Sequence, residues 1–144
     1  MKGFTIKEWM TPDPIIVSSQ IAIPDAYWIM IDKKIRRLLV VDDNKLVGIV
    51  TIEDLRQKIP YTIFAMDAVK ASDTLSCMPI NRVMSKNLIT VSVDTALVEA
   101  AKLMIKNNIS TLPILKNDKL VGVITEGDLF RAFVEIFQEL KTSR

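Results

Sequence analysis

The sequence contains no histidine and a single cysteine, Cys77, among its 144 residues. Those two shortages remove zinc sites, disulfides, Cys–His nucleophile pairs and histidine general bases together. Any catalytic site would have to be built from carboxylates, lysines and hydroxyls alone. Glycine is scarce as well, at four residues, which argues against a glycine-rich phosphate loop of the Walker or dinucleotide kind. No apolar run approaches the roughly 18–20 residues that span a bilayer, so a membrane is not expected as a partner. Lys2 is followed by no extended apolar core, so the N-terminus does not read as a signal peptide, and a cytoplasmic location is expected. Neither sign of charge dominates. Residues 1–59 hold nine basic and eight acidic groups and residues 60–144 hold ten and nine, for a net charge of +2. With no basic arm in either half, nucleic acid is not an expected partner either.

What is present is apolar material, at 49% hydrophobic residues and a mean hydropathy of +0.26, in a length that suits one compact fold. It is arranged as a repeat. Ile6–Leu55 aligns with Ile80–Leu129 at an offset of 74 without a gap, and eighteen of the fifty positions are identical. Met10, Ala26, Met30, Leu38, Gly48, Thr51 and Asp54 are among them. Such a repeat marks a unit that buries its apolar face against its copy, so any site is expected in two related versions.

Each copy reads β-α-β-β-α. In the second, Leu88–Val91 predicts a short strand, with Asp94 or Thr95 as helix N-cap. Leu97, Ala100, Ala101 and Met104 then recur at helical spacing until Asn107-Asn108. Leu112–Leu115 and Leu120–Thr125 predict a hairpin about an Asn117-Asp118 turn. A last helix from about Glu126 carries Leu129, Phe130, Phe133, Val134 and Phe137 as its apolar stripe. The first copy repeats this, with Ile23, Ala26, Tyr27 and Met30 on its helix and Leu38–Val41 and Leu46–Thr51 as its hairpin. The expected division is 1–59 for the first repeat, 60–79 for a connector and 80–144 for the second. In the connector Ile63, Met66 and Val69 or Lys70 predict a helical turn or two, with Met66 and Met78 as packing residues.

The segments KLVGIVTIEDL (Lys45–Leu55) and KLVGVITEGDL (Lys119–Leu129) both end in Gly, two apolar residues, Thr and an Asp three residues on. Together with the WM and VM openings, the ITVS strand and the LPIL strand, they resemble the cystathionine β-synthase (CBS) domain family. The resemblance covers essentially the whole chain as one tandem pair, a Bateman module. The connector and the DLFRAF ending are similar to the acetoin-utilisation branch, some members of which carry a further C-terminal domain that is not expected here. The resemblance implies an α/β (α+β) fold, with two repeats packed sheet to sheet about a pseudo-two-fold. It also implies adenosine-containing ligands (AMP, ADP, ATP, NAD or S-adenosylmethionine) in clefts between the repeats. Such pairs are sensors that regulate a partner protein and not enzymes, with no obligatory cofactor and no metal. They form flat two-fold dimers through their outer helices, so a homodimer is expected, with Phe130, Phe133, Val134 and Phe137 and the stretch Tyr61–Phe64 as its surface.

The residues support particular roles. Thr125 with Asp128, and Thr51 with Asp54, stand where a strand ends and a helix begins. A carboxylate there can accept from two vicinal ribose hydroxyls; the simpler role is that Thr caps the helix and Asp complements its dipole. A base needs an apolar slot with backbone edges. Ile15, Ile16 and Val17 with Ile49 and Val50 supply one, and Leu88, Ile89, Thr90 and Val91 with Val123 and Ile124 the other, with Ile16 and Thr90 at the rims. Leu39 stands where the second copy has Pro113, a replacement expected to reshape the first cleft. Arg36 and Arg37 precede a strand where family members place phosphate-binding residues, while Ser110 and Thr111 are their neutral counterparts. Glu53 and Glu126 would repel a long phosphate tail unless a divalent cation intervened, which favours AMP or ADP over ATP. The rival expectation is a ligand-free module for dimerisation or docking.

Overall fold

A computed structural model describes residues 3–143, the side chain of Tyr61 excepted. The first repeat supplies β1 (Thr11–Pro12), β2 (Ile16–Val17), α1 (Ile23–Asp32), β3 (Arg37–Asp42), β4 (Lys45–Thr51) and α2 (Ile52–Lys58). The connector holds α3 (Tyr61–Phe64) and α4 (Ala68–Ser76). The second repeat supplies β5 (Val91–Ser92), α5 (Leu97–Asn107), β6 (Thr111–Lys116), β7 (Lys119–Thr125) and α6 (Glu126–Thr142). Single 3-10 turns at Ile6–Glu8 and Ile80–Arg82 open the two repeats.

The compact units are offset from the repeats. One is Ile15–Leu88; the other joins the described part of Met1–Pro14 to that of Ile89–Arg144. Each therefore holds the body of one repeat and the leading segment of the other. In the first unit, β2 runs parallel to β3, and β3 pairs antiparallel with β4. In the second unit the order is β1-β7-β6-β5, with β5 parallel to β6 and β1 antiparallel to β7. The hairpins turn at Asp43-Asn44, with φ of 49° and 63°, and at Asn117-Asp118, with φ of 52° and 62°. Two successive left-handed residues match the twist of the flanking strands, and Asn and Asp tolerate that backbone best among residues with a side chain. Both hairpins carry a register shift at the same place, Val40/Val41 and Ile114/Leu115.

Alternation along these strands decides what is core. Leu38, Val40 and Val50 pack with Ile23, Ala26, Met30 and Leu55 in the first unit. Leu112, Ile114 and Ile124 pack with Leu97, Ala100, Met104, Ala132 and Ile136 in the second. The leading segments complete both cores. Ile80, Val83 and Met84 enter the first, and Ile6 and Trp9 enter the second. Gly48 and Gly122 permit this. A Cβ on Gly48 would lie 3.1 Å from the Ser85 carbonyl oxygen, and one on Gly122 would lie 2.7 Å from that of Thr11.

Two sequence expectations need correction. The N-cap of α5 is Ala96, with no side-chain cap, and not Asp94 or Thr95. The leading segment makes a side-chain cap unnecessary, because the Phe4 carbonyl accepts from Leu97 N–H at 2.7 Å. In the first unit the Met78 carbonyl receives Ile23 N–H at 2.9 Å in the same way. Second, Tyr27 is exposed and does not share the buried face of Ile23, Ala26 and Met30. On α6 the buried side is Asp128, Ala132 and Ile136, while Phe130, Phe133, Val134 and Phe137 are exposed, in line with the apolar surplus expected of this helix. Capping by Thr125 sets the phase of α6, so positions four apart from Asp128 turn inward. The expected strand at Leu88–Val91 begins to pair only at Val91, and the connector is more helical than the one or two turns its spacing suggested.

Candidate functional site

The same junction occurs once in each unit. A seven-residue strand ends on a threonine, and the next helix starts one residue later. At Thr51, Oγ1 accepts from Asp54 N–H at 3.0 Å, and Asp54 Oδ2 accepts from Thr51 N–H at 2.9 Å. At Thr125 the corresponding distances are 3.2 and 2.9 Å. These are reciprocal capping boxes, each satisfying two amides that the helix geometry leaves without partners. The next helix amide goes to the chain before the hairpin. Ile52 N–H reaches the Arg36 carbonyl and Glu126 N–H that of Ser110, both at 3.0 Å. Strand, helix start and the turn into the hairpin are thus tied together in both units.

Each aspartate commits Oδ2 to backbone and Oδ1 to a basic side chain. Asp54 Oδ1 lies 3.4 Å from Lys58 Nζ, and Asp128 Oδ1 pairs with Arg131 Nη2. The two carboxylates differ in depth. The Asp54 side chain is 19% exposed and that of Asp128 only 2%.

Cross-strand register sorts the remaining candidates. Arg37 pairs with Thr51 and Leu39 with Ile49; Thr111 pairs with Thr125 and Pro113 with Val123. Residues two apart on a strand share a face, so Ile49 and Val123 lie on the face of Thr51 and Thr125. Val17, Val50, Val91 and Ile124 instead belong to the cores, behind the sheets. Ile16 and Thr90 are exposed, Ile89 is half-buried and Pro113 is buried. Sequence reasoning left out the leading segments. Thr11 and Pro12 pair with Val123 and Gly122, and Ser85 exchanges both backbone hydrogen bonds with Ile49. Glycine at equivalent places in both repeats was the available signal, since a missing side chain beside a site often marks the approach of another backbone.

The charges are not laid out as expected. Arg36 was read as a phosphate ligand and Glu53 as a repulsive group, but they pair with each other at 2.5 Å. The hydrogen bond from Arg36 holds the Glu53 carboxyl below its ordinary value. Glu53 stays ionised with its charge offset by Arg36, and Arg36 is engaged by a carboxylate. Among the described residues no three Asp, Glu or Cys side chains gather as a metal site, and no helix is long and apolar enough to cross a membrane.

Two sheet-and-helix units, each closed by a Thr-x-x-Asp capping box and each completed by a segment of the other repeat, define a tandem domain pair. The CBS domain family matches residues 6–61 and again 80–135. The chain belongs to that family, as a tandem CBS pair. It is 28% identical to a chain named as an acetoin utilization protein (AcuB) from Vibrio cholerae, covering 97% of both chains with a TM-score of 0.78. It is 28% identical to CBSX2 solved in complex with AMP, covering 93% of this chain and 99% of that one with a TM-score of 0.76. A CBS domain pair solved with 5′-methylthioadenosine and S-adenosyl-L-methionine is 31% identical, covering 91% and 96% with a TM-score of 0.72. The chain also matches a homoserine O-acetyltransferase of Methanosalsum zhilinae at 30% identity over 90% of its own length, but it spans only 24% of that protein.

Proposed function

We propose that the chain is a ligand-sensing regulatory module that binds an adenosine-containing nucleotide at its two strand-to-helix junctions, AMP or ADP in preference to ATP. The observation that carries this is the duplicated capping box, which turns one oxygen of Asp54 and of Asp128 toward a flexible cation and not toward backbone. A vicinal diol can take that cation's place. Thr51 with Asp54, and Thr125 with Asp128, hold the ribose. Ile16 with Ile49, and Thr90 with Ile89 and Val123, flank the base, while Val17, Val50, Val91, Pro113 and Ile124 support them from behind. Arg36 and Arg37 meet the phosphate, Arg36 by exchanging Glu53 for it. AMP, 5′-methylthioadenosine and S-adenosylmethionine, found with the relatives, share only the adenosine part, which supports a site built around ribose and base. Occupancy regulates a partner protein through the ligand's differential affinity for two arrangements of the pair.

The test is a thermal-shift panel of AMP, ADP, ATP, NAD and S-adenosylmethionine. A ligand at a hundred times its Kd adds about 2.7 kcal/mol, a shift of several degrees at this size. No shift with any of the five would remove the proposal.

One observation favours a second role, association without a ligand. Exposed Phe130, Phe133 and Phe137 of α6, with Val98 and Ile105 of α5 and Phe4, line an apolar groove of about 720 Å³ in the second unit. Apolar surface on this scale marks a protein–protein contact. A homodimer is the occupant we favour, with Phe64 as further exposed apolar surface; the side chain of Tyr61 lies outside the described residues. Light scattering should give twice the 16.3 kDa protomer at micromolar concentration. A protomer mass with and without AMP would exclude the dimer.

A further inference from the structure

The two junctions differ in one respect that the repeat itself creates. At an offset of 74, Glu53 faces Gly127, Gln57 faces Arg131 and Lys58 faces Ala132. The carboxylate therefore has a lysine one turn on in the first unit, and an arginine three residues on in the second. Arg131 folds back over the first turn of α6. Its Nη1 lies 3.8 Å from where a Cβ on Gly127 would stand, and that Cβ would be 3.7 Å from Thr125 Oγ1. Even a methyl at Gly127 would meet the guanidinium only at ordinary contact distance. A cation there opposes the helix dipole, so Asp128 and not the helix holds it in place. The result is a carboxylate 2% exposed beneath a side chain that is itself 66% exposed. Asp54 is covered less, by a single ammonium at 3.4 Å.

We infer that Arg131 is a latch on the second junction, a positioning residue that must leave Asp128 before a ribose diol can bind there. The inference rests on the adenosine-binding proposal above. It makes the two sites unequal: the Thr51/Asp54 site fills first, and the Thr125/Asp128 site fills at a higher concentration. An ion pair with one exposed partner disfavours the open arrangement by a factor of about two to six, and apparent affinity falls by the same factor.

The experiment is calorimetric titration of adenosine into the full chain carrying Asp54→Ala, which isolates the second site. Arg131→Gln installs the residue that the first repeat has at this position, and its exposure leaves the core untouched. The expected result is adenosine binding about two- to sixfold tighter than with Arg131, with Arg131→Lys in between. Adenosine is uncharged, so salt can act only through the latch. Affinity should rise with salt when Arg131 is present and stay flat in Arg131→Gln. Equal or weaker binding in Arg131→Gln, or the same salt response in both, would overturn the latch. If Asp128→Ala abolishes adenosine binding in a chain with Asp54 mutated while Arg131→Gln does nothing, the latch alone fails. If the native chain binds no adenosine, AMP or S-adenosylmethionine, the binding proposal fails and the latch falls with it.

Discussion

Replacing Asp128 separates the two jobs that its position allows. In Asp128→Ala the Thr125 amide loses its acceptor at 2.9 Å, and Arg131 loses its partner. The bond from Asp128 N–H to Thr125 Oγ1 survives, so half of the capping box remains. Loss of a cap costs about 0.5–2 kcal/mol, and burial of the site places this one in the upper half, at about 1–2 kcal/mol. For a chain of this size that is a fall in Tm of about 3–7 °C. Asp54→Ala should cost about half as much, because its carboxylate is 19% exposed and water can replace it. Affinity is the second axis. With a sugar contact also lost, adenosine binding at the mutated site should weaken at least tenfold, about 1.4 kcal/mol. Asp128→Asn then divides the effects. Its carbonyl can still accept from Thr125 N–H, so much of the Tm loss should return, but without the charge the affinity should not. Differential scanning fluorimetry and calorimetric titration on the same preparations measure both. Unchanged adenosine affinity in both Asp54→Ala and Asp128→Ala would show that the carboxylates only cap helices.

Gly122→Ala drives a methyl to 2.7 Å from the Thr11 carbonyl, a backbone atom, and should cost about 1–3 kcal/mol in urea unfolding; no loss would refute the close packing of the leading segment. Gly127→Ala has 3.7 Å of clearance at a helical position and should instead stabilise by about 0.5–1 kcal/mol. Replacing Arg36 and Arg37 with Ala should weaken AMP binding more than adenosine binding and reduce its dependence on salt; equal losses for both ligands would limit the arginines to structure. The Asp42 carboxyl is held below its ordinary 3.8 chiefly by the hydroxyl of Ser19, then by its amide. That contribution is complete above the ordinary value and is lost as pH falls through the lowered one. Ser19→Ala should therefore raise the Asp42 pKa in an NMR titration, and its stability deficit should shrink as the medium is acidified below that range.

The fold was legible where local chemistry decides it. Asp43-Asn44 and Asn117-Asp118 announce hairpins because few residues accept two left-handed positions in succession. Thr51 and Thr125 announce helix starts because their hydroxyls can take the amide three residues on. Errors arose where a distant segment supplied what a local residue was expected to supply. Asp94 and Thr95 are good capping residues by type, yet the Phe4 carbonyl already receives the first amide of α5. Periodicity on α6 shows that a face is apolar but not what covers it, and the surplus expected at Phe130, Phe133, Val134 and Phe137 is exposed. Phe130, Phe133 and Phe137 are one apolar face, and Leu129, Ala132 and Ile136 are another.

The site was legible in its residue types and less so in its pairings. Thr-x-x-Asp repeated in register pointed to the junctions, but Val50 and Ile124 were drawn into the slots beside Ile49 and Val123, and they belong to the cores. Nothing local could reveal that Arg36 meets Glu53, since seventeen residues and a hairpin separate them. Nor could it show that Ser85 lies against Ile49, or Thr11 against Val123, because those contacts cross the repeat boundary. This exchange has a functional consequence. Each junction combines a strand and helix from one repeat with a leading segment from the other, so under the proposed function neither repeat alone would contain a complete site. Disturbing one leading segment should therefore damage the opposite repeat's site. Gly122→Ala acts on Thr11 and so should weaken ligand at Thr125/Asp128 while sparing Thr51/Asp54. Calorimetry in the Asp54→Ala and Asp128→Ala backgrounds reads the sites one at a time. Equal weakening of both would show that the exchange matters only for stability.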